Sequence, residues 1–352
     1  MNKNRRQLLK QSGLIGLGLG LSKLSAFAAD ESLVNVQPDK MKLCYHPSGR
    51  FKIVQFTDIH WQWGDEKDLQ TAALMEGILD AEKPDLVVLT GDSISGKELN
   101  TVGAYENAYL NLTRPIVTRE IPWAAVFGNH DDEGCISRKD QMALMREIPY
   151  CLALPGPADI DGVGNYTLRL YDSSGHKVRN VLYFMDSGAY APKEIEGYAW
   201  INRKEINWFV QQAKGFEKKY GKKLPSLAFF HIPIPEYDQV FDETSLGVKQ
   251  EDVCCSKINS GFFAAMLEAG GMVGTFAGHD HVNDYEGELF GVRLCYGRAT
   301  GFNTYGKDGF PRGARVIVLG EDESTFQTWI RVENDLIVDY QKDKNKVHPL
   351  NA

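Results

Sequence analysis

Five short apolar runs, each breaking off into the same kinds of polar residue, constrain the fold of this chain more than any other feature. FKIVQF (51–56) leads into Thr57, Asp58, Ile59 and His60. DLVVLTG (85–91) leads into Asp92, WAAVFG (123–128) into Asn129 and His130, SLAFF (226–230) into His231, and MVGTFAG (272–278) into His279, Asp280 and His281. Several of these runs are nearly continuous in apolar residues, the pattern of strands covered on both faces. Between them, LQTAALMEGILDAEK reads as a helix. So does RKEINWFVQQAKGFEKKYG, which sets Ile206, Phe209, Val210, Ala213 and Phe216 on one face. YTLRLYDSSGHKVRNVLYFMD reads as a hairpin with His176 at its tip, and VRLCY, ARVIVL and TFQTWI add strands towards the end of the chain. This order implies an α/β domain that finishes in an antiparallel run.

The polar residues fall where strands stop. In α/β sheets ligands bind at the carboxyl edge of the strands, so five distant segments can converge on one site there. Taken singly, an Asp after a strand is an ordinary turn former or helix cap, and Gly-Asp and Gly-Asn are common turn dipeptides. The weight comes from the set. Five of the eight histidines (60, 130, 231, 279 and 281) stand at strand ends beside Asp or Asn, whereas His46, His176 and His348 sit in loop or tail contexts. Imidazoles, carboxylates and an amide, clear of cysteine, suit borderline transition metals better than calcium or thiolate-bound zinc. Gly91, Gly128 and Gly278 precede these residues and predict tight turns.

TDIH (57–60), GDS (91–93), GNHDD (128–132), FFHIPIPEY (229–237) and GHDH (278–281), in that order, resemble the calcineurin-like metallophosphoesterases. HIPIPEY and GHDHVNDYEGEL, with YGRATGFNTYG and RGARVI, look like the purple-acid-phosphatase-like branch and extend the likeness to about residue 330. The resemblance implies a four-layer αββα sandwich of two mixed sheets, with the site at the carboxyl ends of strands. It implies that Asp58, His60 and His281 hold one metal ion, that Asn129, His231 and His279 hold a second, and that Asp92 bridges both. Two divalent ions outweigh two carboxylates, so the pocket stays positive, binds a phosphate group and yields a metal-bound hydroxide that attacks the ester. His130 is then the catalytic residue beside the leaving group, with Asp131 orienting it and raising its pKa. The alternative for His130 is a residue that merely holds Asn129 in place.

The sequence departs from true purple acid phosphatases at two positions. Where that group carries a tyrosine three residues after the GD aspartate, this chain has Ser95, and its first motif has His60 where that group has none. The tyrosinate that favours ferric iron is missing, which leaves manganese, zinc or iron open. The expected partner is a small-molecule phosphate ester, with phosphomonoesterase action ahead of phosphodiesterase or nucleotidase action, and a non-catalytic phosphate- or metal-binding module as the contrasting class. Arg298, Tyr237 and Tyr305 are candidates for substrate contact, with ordinary packing as the alternative for each.

The chain opens with a basic, then Gly- and Leu-rich, then small-residue segment over 1–28, read as a cleavable export signal. Arg5-Arg6 gives it a twin-arginine look, the alternative being an ordinary secretory signal. A linker over 29–40, a metallophosphoesterase domain over 41–341 and a polar tail over 342–352 complete the expected organisation. Cleavage after Ala28 would remove Lys3, Arg5, Arg6, Lys10 and Lys23 and no acid, taking the formal charge from −8 to −13. Such a chain is expected in the periplasm or outside the cell, with no stable membrane anchor and no nucleic-acid partner. Cysteines 44, 135, 151, 254, 255 and 295 would allow three disulfides in an oxidising compartment, with a vicinal 254–255 bridge disfavoured.

Overall fold

A computed structural model of the protein describes residues 41–340, so the signal segment, the linker and the tail lie outside the described residues. Thirteen strands form two mixed sheets among these residues. The first sheet is built around β2 (Arg50–Phe56), β3 (Leu86–Thr90) and β4 (Trp123–Val126), which run parallel. β11 (Gly313–Gly320) pairs antiparallel with β2 on its other edge, followed by β12 (Phe326–Val332) and β13 (Leu336–Val338). The second sheet has β6 (Val178–Phe184), β7 (Ser226–Phe229), β8 (Met272–Ala277) and β10 (Val292–Tyr296) in parallel. β5 (Tyr166–Tyr171) pairs antiparallel with β6 and parallel with β1 (Leu43–Cys44), and β9 (Glu286–Leu289) closes the far edge.

Side-chain alternation makes this a layered sandwich. Along β6 and β7, Leu182, Phe184, Leu227 and Phe229 enter the core shared with the first sheet, while Val181, Tyr183, Ala228 and Phe230 face the opposite way. There they meet α4 (Arg203–Tyr220) and α5 (Phe262–Ala269) through Ile206, Phe209, Phe262 and Met266. On the outer side of the first sheet, α1 (Glu66–Glu82) packs on α2 (Val102–Val117), which packs on α3 (Arg138–Glu147). Between the sheets, the rings of Tyr166, Phe184, Phe229 and Phe276 form a stacked row, with centroids 4.5, 5.3 and 5.2 Å apart. All four rings are buried in the core between the sheets.

The expected α/β class, strands and hairpin are all present. α4 begins at a capping box between Asn202 and Glu205 and ends at Gly221 in the left-handed region. Its buried face includes Trp208 with Ile206 and Phe209, whereas Val210 and Phe216 pack at its margin. All six cysteines are free, including the adjacent pair, so the disulfides open to the sequence are not formed. No helix among the described residues is long and apolar enough to cross a membrane.

Candidate dinuclear metal centre

The strands aim their carboxyl ends at one place. β2, β3 and β4 of one sheet deliver Asp58, His60, Asp92, Asn129 and His130, while β7 and β8 of the other deliver His231, His279 and His281. Gln55 Nε2 ties the sheets together just below, donating to Thr90 Oγ1 (2.9 Å) and across to the carbonyl of Ala277 (3.1 Å). Two buried triads result, Asp58–His60–His281 and Asp92–His231–His279. His279 and His281 therefore separate into different triads.

Asp92 joins the two groups through one oxygen. Its Oδ1 accepts the backbone N–H of His130 at 2.8 Å. Oδ2 has no hydrogen-bond partner, and lies 3.1 Å from His231 Nε2 and 3.7 Å from His60 Nε2. The donor nitrogens are aimed from behind. His231 Nδ1 lies 2.8 Å from the carbonyl of Thr90, and His281 Nδ1 lies 2.7 Å from Thr304 Oγ1, which leaves Nε2 of both rings for the centre. Asp58 Oδ1 stands 3.3 Å from His281 Nε2, while Oδ2 accepts from Thr57 Oγ1 at 2.8 Å.

Whether these residues fit a metal pair is answered by their unpaired atoms. Asp92 Oδ2, His60 Nε2, His279 Nε2 and Asn129 Oδ1 are all buried without a hydrogen-bond partner. Buried polar atoms are almost always paired, and four orphans in one cluster fit ions that take the place of hydrogen bonds. Protonation of the site follows the same logic. Burial pushes His60 down to about 4 and His279 down to about 3, which frees their lone pairs for coordination. Burial also disfavours charge on His231, yet Asp92 beside it overrides that and raises it to about 9. Asp92 is driven up by burial and pulled well below the usual carboxylate range by His231.

Backbone strain is concentrated on the same residues. Asp58, His60, Asp92 and His279 occupy the left-handed region at φ 53°, 50°, 47° and 80°, a costly conformation for non-glycine residues. The expectation that three glycines supply the turns is therefore corrected. Only Gly91 has positive φ (88°); Gly128 and Gly278 are required for close approach, because a Cβ would run into Asp92 Oδ1 at the first and Thr57 Oγ1 at the second.

A second correction concerns Asp131. It does not meet the imidazole of His130. Its buried carboxylate accepts the backbone N–H groups of Asp92 (3.0 Å), Ile94 (3.0 Å) and Gly128 (2.6 Å), binding the loop after β3 to the loop after β4. Burial, then the neighbouring Asp92, pushes its pKa up to about 7. The partner of His130 is Glu133, with Nδ1 2.7 Å from Oε2, and the His130 ring lies 5.2 Å from that of His60.

Asp132 lies 3.3 Å from Arg138 Nε. Of the candidate substrate contacts, Arg298 is buried against Asp284 and the carbonyl of Pro311, and Tyr237 is a core residue bonded to Thr275. Tyr305 does reach the site, stacking on His281 at 4.0 Å and donating to Glu251. Ser95 is buried and donates to the carbonyl of His60. Sequence reasoning missed Glu133, Tyr190, Tyr198 and Thr304. Glu133 follows His130 by three residues, a spacing that could have flagged it, whereas the others come from loops without any local signal.

Residues 51–283 match the Calcineurin-like phosphoesterase family. The chain is 35% identical to a protein named probable inactive purple acid phosphatase 29 from Arabidopsis thaliana, over 95% of this chain and 92% of that one. It is 34% identical to the phosphatase DCR2 of Saccharomyces cerevisiae, over 81% of this chain and 54% of the yeast protein. Among solved structures, a dimetal phosphatase from Danio rerio has the same fold, with a TM-score of 0.54 at 14% identity over 82% of this chain and 99% of that one.

Proposed function

The chain belongs to the calcineurin-like phosphoesterases, metal-dependent hydrolases of phosphoric esters, and on that premise we propose that it is an exported dinuclear phosphomonoesterase. The observation that carries the reading is Asp92 Oδ2, a single unpaired oxygen within reach of histidines from both triads. Asp58, His60 and His281 would hold one ion, and Asn129, His231 and His279 the other, with manganese, zinc and iron all compatible with this donor set. Two such ions would supply Lewis acidity and water of lowered pKa.

The protein's own groups supply the rest. Two carboxylates among seven donors leave a net positive pocket that favours a phosphate dianion over a singly charged diester, which supports monoester action. The neutral amide of Asn129 keeps a third negative charge away from that dianion. His130, partly exposed at the rim beside His60, is placed to stabilise or protonate a leaving oxygen. The word inactive in the names of three Arabidopsis relatives belongs to those relatives; here every inferred ligand position carries a competent donor. Export rests on the residue pattern of 1–28, outside the described residues.

The test is hydrolysis of p-nitrophenyl phosphate and of its bis ester by protein reconstituted with each metal. Faster turnover of the monoester is expected, with His130→Ala keeping both metals and losing on the order of 100-fold in kcat. Preference for the bis ester would replace monoesterase with diesterase action. No turnover of either ester with two metals bound would overturn the enzymatic reading in favour of a binding module.

A further inference from the structure

Asn129 and His130 are neighbours in the chain with different tasks, and two side chains from elsewhere hold both. Glu133 Oε2 lies 2.7 Å from His130 Nδ1. Its other oxygen accepts from Tyr190 Oη at 2.7 Å, and Tyr190 Oη accepts from Asn129 Nδ2 at 3.2 Å. The peptide bond between Asn129 and His130 closes the ring. We propose that Glu133 and Tyr190 are positioning residues whose closed hydrogen-bonded ring determines which atom of Asn129 faces the metal pair and which nitrogen of His130 faces the leaving group. The proposal rests on the roles given to Asn129 and His130 above.

The direction of each bond follows from donor chemistry. An ionised carboxylate only accepts, so Glu133 accepts hydrogen bonds from Tyr190 Oη–H and from His130 Nδ1–H. With its own proton committed, Tyr190 Oη can only accept from Asn129, and only the amide nitrogen can donate. Asn129 Oδ1 is thereby turned away from the ring, and it is one of the buried unpaired oxygens. Likewise Nε2 is the nitrogen of His130 left to meet substrate. One surface carboxylate sets both orientations.

The frame around the ring is cross-linked by further bonds. Arg138, at the start of α3, donates to the carbonyls of Gly128 (2.7 Å) and Gly188 (3.2 Å) and pairs with Asp186, tying the turn before Asn129 to the loop that carries Tyr190. That loop is a small hairpin in which Ala191 and Ala199 donate to the carbonyls of Gly197 and Ala189. The Tyr190 ring stacks 6.0 Å from Tyr198, whose ring lies 4.3 Å from His279. Tyr190 itself is 51% exposed, so removing its hydroxyl leaves the core untouched.

The experiment uses zinc-loaded Tyr190→Phe, Glu133→Ala and Glu133→Gln, the last as the variant least disturbing to the loop. Zinc retention against a competing chelator is expected to weaken roughly 10-fold for one of the two ions in Tyr190→Phe. Nitrogen-15 NMR of His130 should show the Nδ1–H tautomer in the parent and a mixture in Glu133→Ala. The loss of kcat in both Glu133 variants should be larger for phenyl phosphate than for p-nitrophenyl phosphate, because the poorer leaving group depends more on a well-aimed His130. Parental zinc retention in Tyr190→Phe together with a parental His130 tautomer in Glu133→Ala would overturn the proposal. Should the parent hydrolyse neither ester, the catalytic reading falls, and zinc retention and the tautomer still judge the ring.

Discussion

Two acidic residues two positions apart, Asp131 and Glu133, divide their work by burial. Asp131 is sunk between two loops where backbone N–H groups outnumber any other partner, so it serves as a structural acceptor, while Glu133 at the surface is free to meet His130 and Tyr190. Nothing in GNHDDEG distinguishes one carboxylate from the other before the loops are packed. Glu205 shows burial as the leading cause of a raised pKa, with Asp186 and Asp161 adding to it. It closes the cap of α4 and bonds to Asn165, and burial raises its pKa to about 8. Between roughly pH 4.5 and 8 the unfolded chain releases this proton and the folded protein keeps it, so stability falls as pH rises through that window and the penalty is complete above it. Urea unfolding of Glu205→Gln should therefore show a shallower loss of stability with pH than the parent, by up to about 1.4 kcal/mol per pH unit. Parallel pH profiles would show that Glu205 ionises normally in the fold.

At the level of elements, the strand ends matter more than the strands. Four inferred ligands carry left-handed backbone themselves, and the glycines before Asn129 and His279 let neighbouring loops touch. Gly278→Ala would press a Cβ on Thr57 Oγ1 and to 2.8 Å from Asp58 Oδ2. Since β8 itself is untouched, circular dichroism should stay parental while metal analysis falls from two ions to one; retention of both ions would show that the Thr57–Asp58 contact yields without consequence. Elements were legible where burial was symmetrical, as in β2, β3 and β4. α2 was not, because Pro115 lies inside it and Asn107, Asn111 and Thr113 weaken its helical signature, whereas tertiary packing of Tyr105, Tyr109, Leu112 and Ile116 holds it.

For the whole molecule, the site lies across two sheets, and each contributes donors that the other cannot supply. Metal binding should accordingly act as a clasp between them. Stripping both ions with a chelator is expected to lower the unfolding temperature and readdition to restore it. For free metal at about 100 times Kd the linkage amounts to about 2.7 kcal/mol per site. An unfolding temperature indifferent to chelation would argue that the Gln55 tie holds the sheets equally well alone.

The sequence by itself determined the α/β class, most strands, and which residue types stand at their carboxyl ends, because hydrophobic period and turn chemistry are local properties. It also brought the family into view through five ordered motifs. Tertiary structure decided that Asp92 presents only one oxygen, and that Glu133 rather than Asp131 meets His130. Those outcomes depend on contacts between loops that are far apart in the chain and on which carboxylate burial leaves accessible. Neither is encoded in the spacing of any single segment.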